Sequence, residues 1–72
     1  MAEQRFHKGD HVSWSAHGSR AYGAVQETIT ERTRIRGRAV NAAPDDPQYR
    51  VRSDGTGRDV AHRPEALRHE QG

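Results

Sequence analysis

The chain has 72 residues, no cysteine, and equal 31% shares of hydrophobic and charged residues. That length holds one domain with a thin core, and the absence of cysteine excludes disulfides and thiolate metal sites. Twelve Lys and Arg against ten Asp and Glu leave a formal charge of +2, too small a total to imply nucleic acid, so the placement of charge carries more weight than its sum. In chain order, Asp10 to Ser15 is predicted as the first strand, because Val12 and Trp14 alternate with His11, Ser13 and Ser15. Ala16 to Ser19 breaks it. A second strand runs from about Arg20 to Thr30, with Gly23 marking a bulge or a close backbone approach. After a turn at Thr30 to Thr33, a third strand is predicted from about Arg34 to Ala42. Its apolar anchors Ile35 and Val40 differ in parity, so an irregularity is expected at Gly37 between them.

Ala43 to Pro47 is a loop, since its two prolines cannot lie inside a central strand. The fourth strand, Gln48 to Ser53, turns Tyr49 and Val51 one way and Arg50 and Arg52 the other. Asp54-Gly55-Thr56-Gly57 is a tight turn. Arg58 to His62 forms a short fifth strand around Val60. Pro64 to Leu67 makes a single helical turn, with Pro64 at its first position and Leu67 plugging the open end. Five short strands with frequent turns and almost no helix predict a small all-β barrel over residues 6–68, flanked by flexible ends at 1–5 and 69–72. No apolar run approaches the roughly 20 residues of a membrane helix, and the N-terminus lacks an apolar signal segment. A cytoplasmic protein, monomeric by default, is the expectation.

Arg32, Arg34, Arg36 and Arg38 recur at every second position, and Arg50 and Arg52 repeat the spacing. On continuous strands each row leaves one face, and the six cluster if the third and fourth predicted strands pair. Eleven of the twelve basic residues are arginine, whose fork matches phosphate or carboxylate in a way lysine cannot copy. Such a face can follow a phosphate backbone or an acidic protein. A charged strand face can equally serve solubility and block edge pairing.

An ordered set of short motifs extends the reading: Lys8-Gly9-Asp10-His11-Val12-Ser13-Trp14, Gly23-Ala24-Val25, Ile35-Arg36-Gly37-Arg38, Pro47 to Asp54, Thr56-Gly57, and Ala61-His62-Arg63-Pro64 with Leu67. Together these resemble the Tudor domain of the hypervirulence-associated protein family, small bacterial and fungal proteins, over roughly Phe6 to Arg68. The resemblance implies an SH3-like, Tudor-type barrel of about five strands and no catalytic signature. The opening Lys-Gly-Asp-x-Val also resembles the start of KOW-type barrels, many of which contact nucleic acid. Tudor folds often hold methylated Lys or Arg between aromatic rings, so Trp14, Tyr22 and Tyr49 are candidates for a peptide-binding groove, with Asp45 and Asp46 as anionic partners. Trp14 and Tyr49 nevertheless fall on the apolar parity of their strands, which leaves Tyr22 as the exposed ring.

The histidines at 7, 11, 17, 62 and 69 have no Cys or convergent Glu to complete a zinc set, so no metal and no cofactor are expected. Asp10, His11, Ser13 and Ser15 are close in sequence, but adjacent strand residues point to opposite faces, so no catalytic residues are assigned. Two functions stand from the sequence. One is a non-catalytic module that contacts nucleic acid or an acidic partner through the arginines. The other is a peptide-binding or structural module that uses the aromatic groove.

Overall fold

The computed structural model describes residues 6–70, so the ends expected at 1–5 and 71–72 lie outside the described residues. Its strands are β1 (His11–Ala16), β2 (Ser19–Ile29), β3 (Thr33–Ile35), β4 (Arg38–Val40), β5 (Gln48–Ser53), β6 (Asp59–His62) and β7 (Arg68–His69), with one 3-10 turn at Pro64–Ala66. Five of them form an antiparallel sheet in the order β6-β5-β2-β1-β7, and β3 pairs with β4 in a separate ribbon. The domain is all-β and barrel-like, as the alternation and turn spacing predicted.

The long strand β2 organises the sheet. Its first half pairs with β1, from Ala16↔Ser19 to His11↔Ala24, and its second half pairs with β5, from Gly23↔Ser53 to Ile29↔Gln48. A strand that serves two neighbours in succession must bend. The register shifts between Val25 and Glu27, and the extra residue increases the local twist. The bulge therefore lies downstream of Gly23. Gly23 supplies the close approach instead: a Cβ there would run into the carbonyl oxygen of Arg52.

Inward-facing residues follow the predicted parity. Val12, Trp14, Val25, Tyr49 and Val51 form the core, closed by Phe6 and Leu67. Leu67, just after the 3-10 turn, is only 6% exposed and belongs to the core cluster. Phe6 packs edge-on against Tyr49 with ring centroids 5.2 Å apart, the arrangement favoured by aromatic quadrupoles.

Two expectations need correction. The predicted third strand, Arg34 to Ala42, is instead a hairpin. Arg36 (φ 53°) and Gly37 (φ 77°) both lie in the left-handed region, the signature of a two-residue turn that matches strand twist. Ile35 then faces Arg38 and Thr33 faces Val40, which puts Ile35 and buried Val40 on one side of the ribbon. The parity conflict disappears because the chain reverses between them. The C-terminal end predicted to fray is also ordered up to Glu70. Strand β7 pairs Val12↔His69 and Ser13↔Arg68, and the Glu70 amide donates to the His11 carbonyl at 2.8 Å. The Ser13 hydroxyl donates to the Glu70 carboxylate at 2.7 Å and accepts from Arg20 Nε at 3.1 Å. The edge of β1 would otherwise present unpaired backbone groups, and this short strand covers it.

Candidate functional site

The predicted row of four arginines does not exist as one strand face, because the hairpin turn interrupts it. Arg34 pairs opposite Ala39 on one side of the ribbon; Arg38 lies opposite Ile35 on the other, and Arg36 stands at the tip. Nor does β5 pair with the ribbon, since β5 lies between β2 and β6. Arg50 and Arg52 are thus not joined to the other four through strand pairing.

The arginines differ more sharply in what they touch. Arg50 Nε donates to Asp59 at 2.9 Å and its Nη1 to Glu27 at 2.8 Å; Arg52 Nε donates to the second oxygen of Asp59 at 2.9 Å. Strand register explains this, for Arg52 sits opposite Asp59 and Arg50 opposite Glu27. The hydrogen bond from Arg52, aided by Arg50, holds the Asp59 carboxyl below its ordinary 3.8 against the opposing effect of burial. Arg63 Nη1 reaches both oxygens of Asp46 at 2.7 and 2.8 Å, which ties the 43–47 loop to the end of β6.

By contrast, Arg32, Arg34, Arg36 and Arg38 are all exposed. None of their side chains makes an ion pair or hydrogen bond with a described residue. Four guanidinium groups within seven residues are therefore exposed and uncommitted among the described residues. Arg36 adds a conformational oddity, because a left-handed backbone costs a non-glycine residue about 1 kcal/mol and Asn or Gly is the usual occupant of that turn position.

Beside the ribbon, an open groove of about 780 Å³ separates it from the β6 edge. Trp14, Val60, His62 and Ile35 are among its lining residues, as are Arg36 and Arg38. The Trp14 and His62 rings lie 5.3 Å apart at 41°. The predicted aromatic trio does not converge there. Tyr49 is fully buried and Trp14 is 5% exposed, both within the core. Tyr22 is opposite Ser13, on the other face of the sheet from Trp14, where it stacks on His11 at 6.3 Å. Asp46, proposed as an anionic partner for such a cage, is engaged by Arg63.

A family model described as hypervirulence associated proteins TUDOR domain matches residues 9–67, most of the chain. The chain belongs to this Tudor-domain family. No curated protein and no solved structure matches it. Tudor-type domains are in general small, non-catalytic binding modules for peptides or nucleic acids, and membership suggests that class without identifying a ligand. No helix among the described residues of the Tudor domain is long and apolar enough to cross a membrane. No three His, Asp or Glu side chains among them are grouped to hold a metal ion.

His62, one histidine of five in the sequence, is a half-buried member of the groove lining in the Tudor domain. The sequence signal for that position was its parity: His62 shares the face of Val60 and lies opposite Tyr49, so it belongs to the inward side of β6. Burial lowers its pKa below the ordinary 6.5. The unfolded chain then binds a proton at a pH where the folded domain still resists it, so His62 favours folding above 6.5 and disfavours it as pH falls below that value. Between about pH 7 and 5, denaturant titrations should show the wild type losing more stability than His62→Gln. Parallel pH profiles for the two proteins would contradict this. Asp10 and Asp59 do not confuse the test, because both carboxyls are held below 3.8 and lose their contributions under that pH.

Proposed function

We propose that this Tudor domain is a non-catalytic module that binds nucleic acid through the β3–β4 arginine ribbon. The observation that carries the reading is the contrast between arginines. Arg50, Arg52 and Arg63 are neutralised by Asp59, Glu27 and Asp46, whereas Arg32, Arg34, Arg36 and Arg38 have no side-chain partner among the described residues. A ribbon built only for solubility has no need of an arginine at a left-handed position, where asparagine is less strained. Backbone strain kept at such a site points to use. In this reading Arg50 and Arg52 brace the sheet and do not contact the ligand.

The four guanidinium groups of the ribbon can displace about four condensed counterions, so log affinity for duplex DNA should fall with log salt at a slope of roughly −3 to −4. Labelled oligonucleotides titrated across a salt series measure this directly. Arg36→Asn should raise stability by about 1 kcal/mol and reduce the slope by about one. Arg52→Gln should leave the slope unchanged. Absence of binding at low ionic strength, or equal slopes for wild type and Arg36→Asn, would end the proposal. Tight binding of polyglutamate in place of any nucleic acid would identify an acidic protein as the partner.

A further inference from the structure

We infer that the groove beside the ribbon receives one unpaired base of a single-stranded nucleic acid, with Arg36 and Arg38 holding the phosphates that flank it. The inference rests on the proposed nucleic-acid reading and adds which form of nucleic acid is taken and where its base goes. Three features meet in one place. The groove is open and about 780 Å³ in volume, and Trp14, Ile35 and Val60 contribute apolar residues to its lining. A flat ring can lie on such a surface, and every base has a face to offer it. Two guanidinium groups without partners among the described residues edge the same groove, so a ring entering it brings its own phosphates to them.

The third feature is His62. Its ring is half-buried against Trp14, and neither ring nitrogen has a hydrogen-bond partner among the described residues, although no buried side-chain nitrogen is left orphaned. The nitrogens therefore keep contact with solvent, and the ring is part of the groove lining. Burial keeps the ring neutral near pH 7, and a neutral imidazole offers one donor and one acceptor, the complement of a base edge. Three other polar side chains of the groove are already committed: Asp59 to Arg50 and Arg52, Arg63 to Asp46, and Gln48 to the Asn41 carbonyl. Paired bases are held in the duplex stack and cannot enter, whereas unpaired bases can swing out onto a protein surface.

Trp14 is the only tryptophan in the chain, so its emission reports on the groove without a label. The full chain should be titrated with an oligothymidylate of about eight nucleotides, a duplex, inorganic polyphosphate and polyglutamate, and binding followed in parallel by competition with a labelled probe. The oligothymidylate should quench Trp14 at saturation, while the duplex and polyphosphate bind without quenching. His62→Ala should weaken oligothymidylate binding about tenfold and leave polyphosphate affinity unchanged. Oligothymidylate binding without quenching overturns the inference and leaves the arginine ribbon standing, as does an equal loss of both affinities in a folded His62→Ala domain. Preference for polyglutamate replaces the base with an acidic peptide. If no probe binds at low salt, both readings fall together.

Discussion

Replacing Gly23 by alanine should cost about 3 kcal/mol of folding stability. Gly23 pairs with Val12 on one side and Ser53 on the other, so it lies where β2 passes from one partner strand to the next. A Cβ at this position would collide with the Arg52 carbonyl oxygen and sit 2.9 Å from its carbon, with Trp14 Cη2 at 3.0 Å. The indole can shift. The carbonyl cannot, because Arg52 is held in register opposite Ala24 and Asp59. Relief would require β2 and β5 to part, and those two strands carry Val25, Tyr49 and Val51 of the core. A domain of 72 residues has a total stability of roughly 4 to 11 kcal/mol, so the substitution removes a large share of it. Gly55→Ala is the matched control, since a Cβ there meets nothing within 4 Å; its effect should stay within about 0.5 kcal/mol. Denaturant melts followed by Trp14 emission measure both. A midpoint for Gly23→Ala equal to that of Gly55→Ala would show that the strands can separate without cost.

The same crossing shows which parts of the fold were legible. Val12 with Trp14, and Tyr49 with Val51, alternate cleanly, and each is buried. Local pattern sufficed because the apolar residues of each strand share one parity, although the other face of β1 is not uniformly wet, since Ser13 there is buried between Arg20 and Glu70. The ribbon was misread for a definite reason. Arginine at every second position imitates a strand, and the turn at Arg36-Gly37 lacks the Asn-Gly pair that normally announces it. The conflict of parity between Ile35 and Val40 was the available clue, and only chain reversal satisfies both. Strand β7 had no pattern to detect. It consists of two exposed residues, Arg68 and His69, and exists because β1 offers an edge.

The chemistry of the candidate site was legible at the level of residue type and not of partnership. Eleven arginines are visible in the chain. Which of them are neutralised depends on cross-strand register, the pairing of Glu27 with Arg50 and of Asp59 with Arg52. Those pairs join residues distant in sequence, so spacing along one strand holds no record of them. The six-arginine face thereby divides into a braced pair on β5 and four residues on the ribbon. Positive charge on the ribbon retains its reach, while that on β5 is spent within the sheet, where cross-strand ion pairs support the pairing.

Tyr49 was a candidate ligand-binding ring, and its substitution separates a core role from a surface one. Its side chain is fully buried, the bulkiest of those with almost no exposure, and Phe6 packs edge-on against it at 79°. Tyr49→Ala should therefore destabilise the domain by about 4 kcal/mol, the sum of lost burial and an unfilled cavity. Against a total of roughly 4 to 11 kcal/mol, much of the population would be unfolded. The loss should extend beyond β5, because Phe6 loses the surface on which it packs and the segment leading into β1 loosens with it. Tyr22→Ala offers the contrast. At 44% exposed, with its ring stacked on His11, it should change stability by no more than about 0.5 kcal/mol. Hydrogen exchange at the Phe6 to Asp10 amides, measured with the two melts, would trace the spread of the defect. Near-native stability of Tyr49→Ala would mean that the ring is dispensable to the core, and the packing of Phe6 on Tyr49 as a support of that core would have to be abandoned.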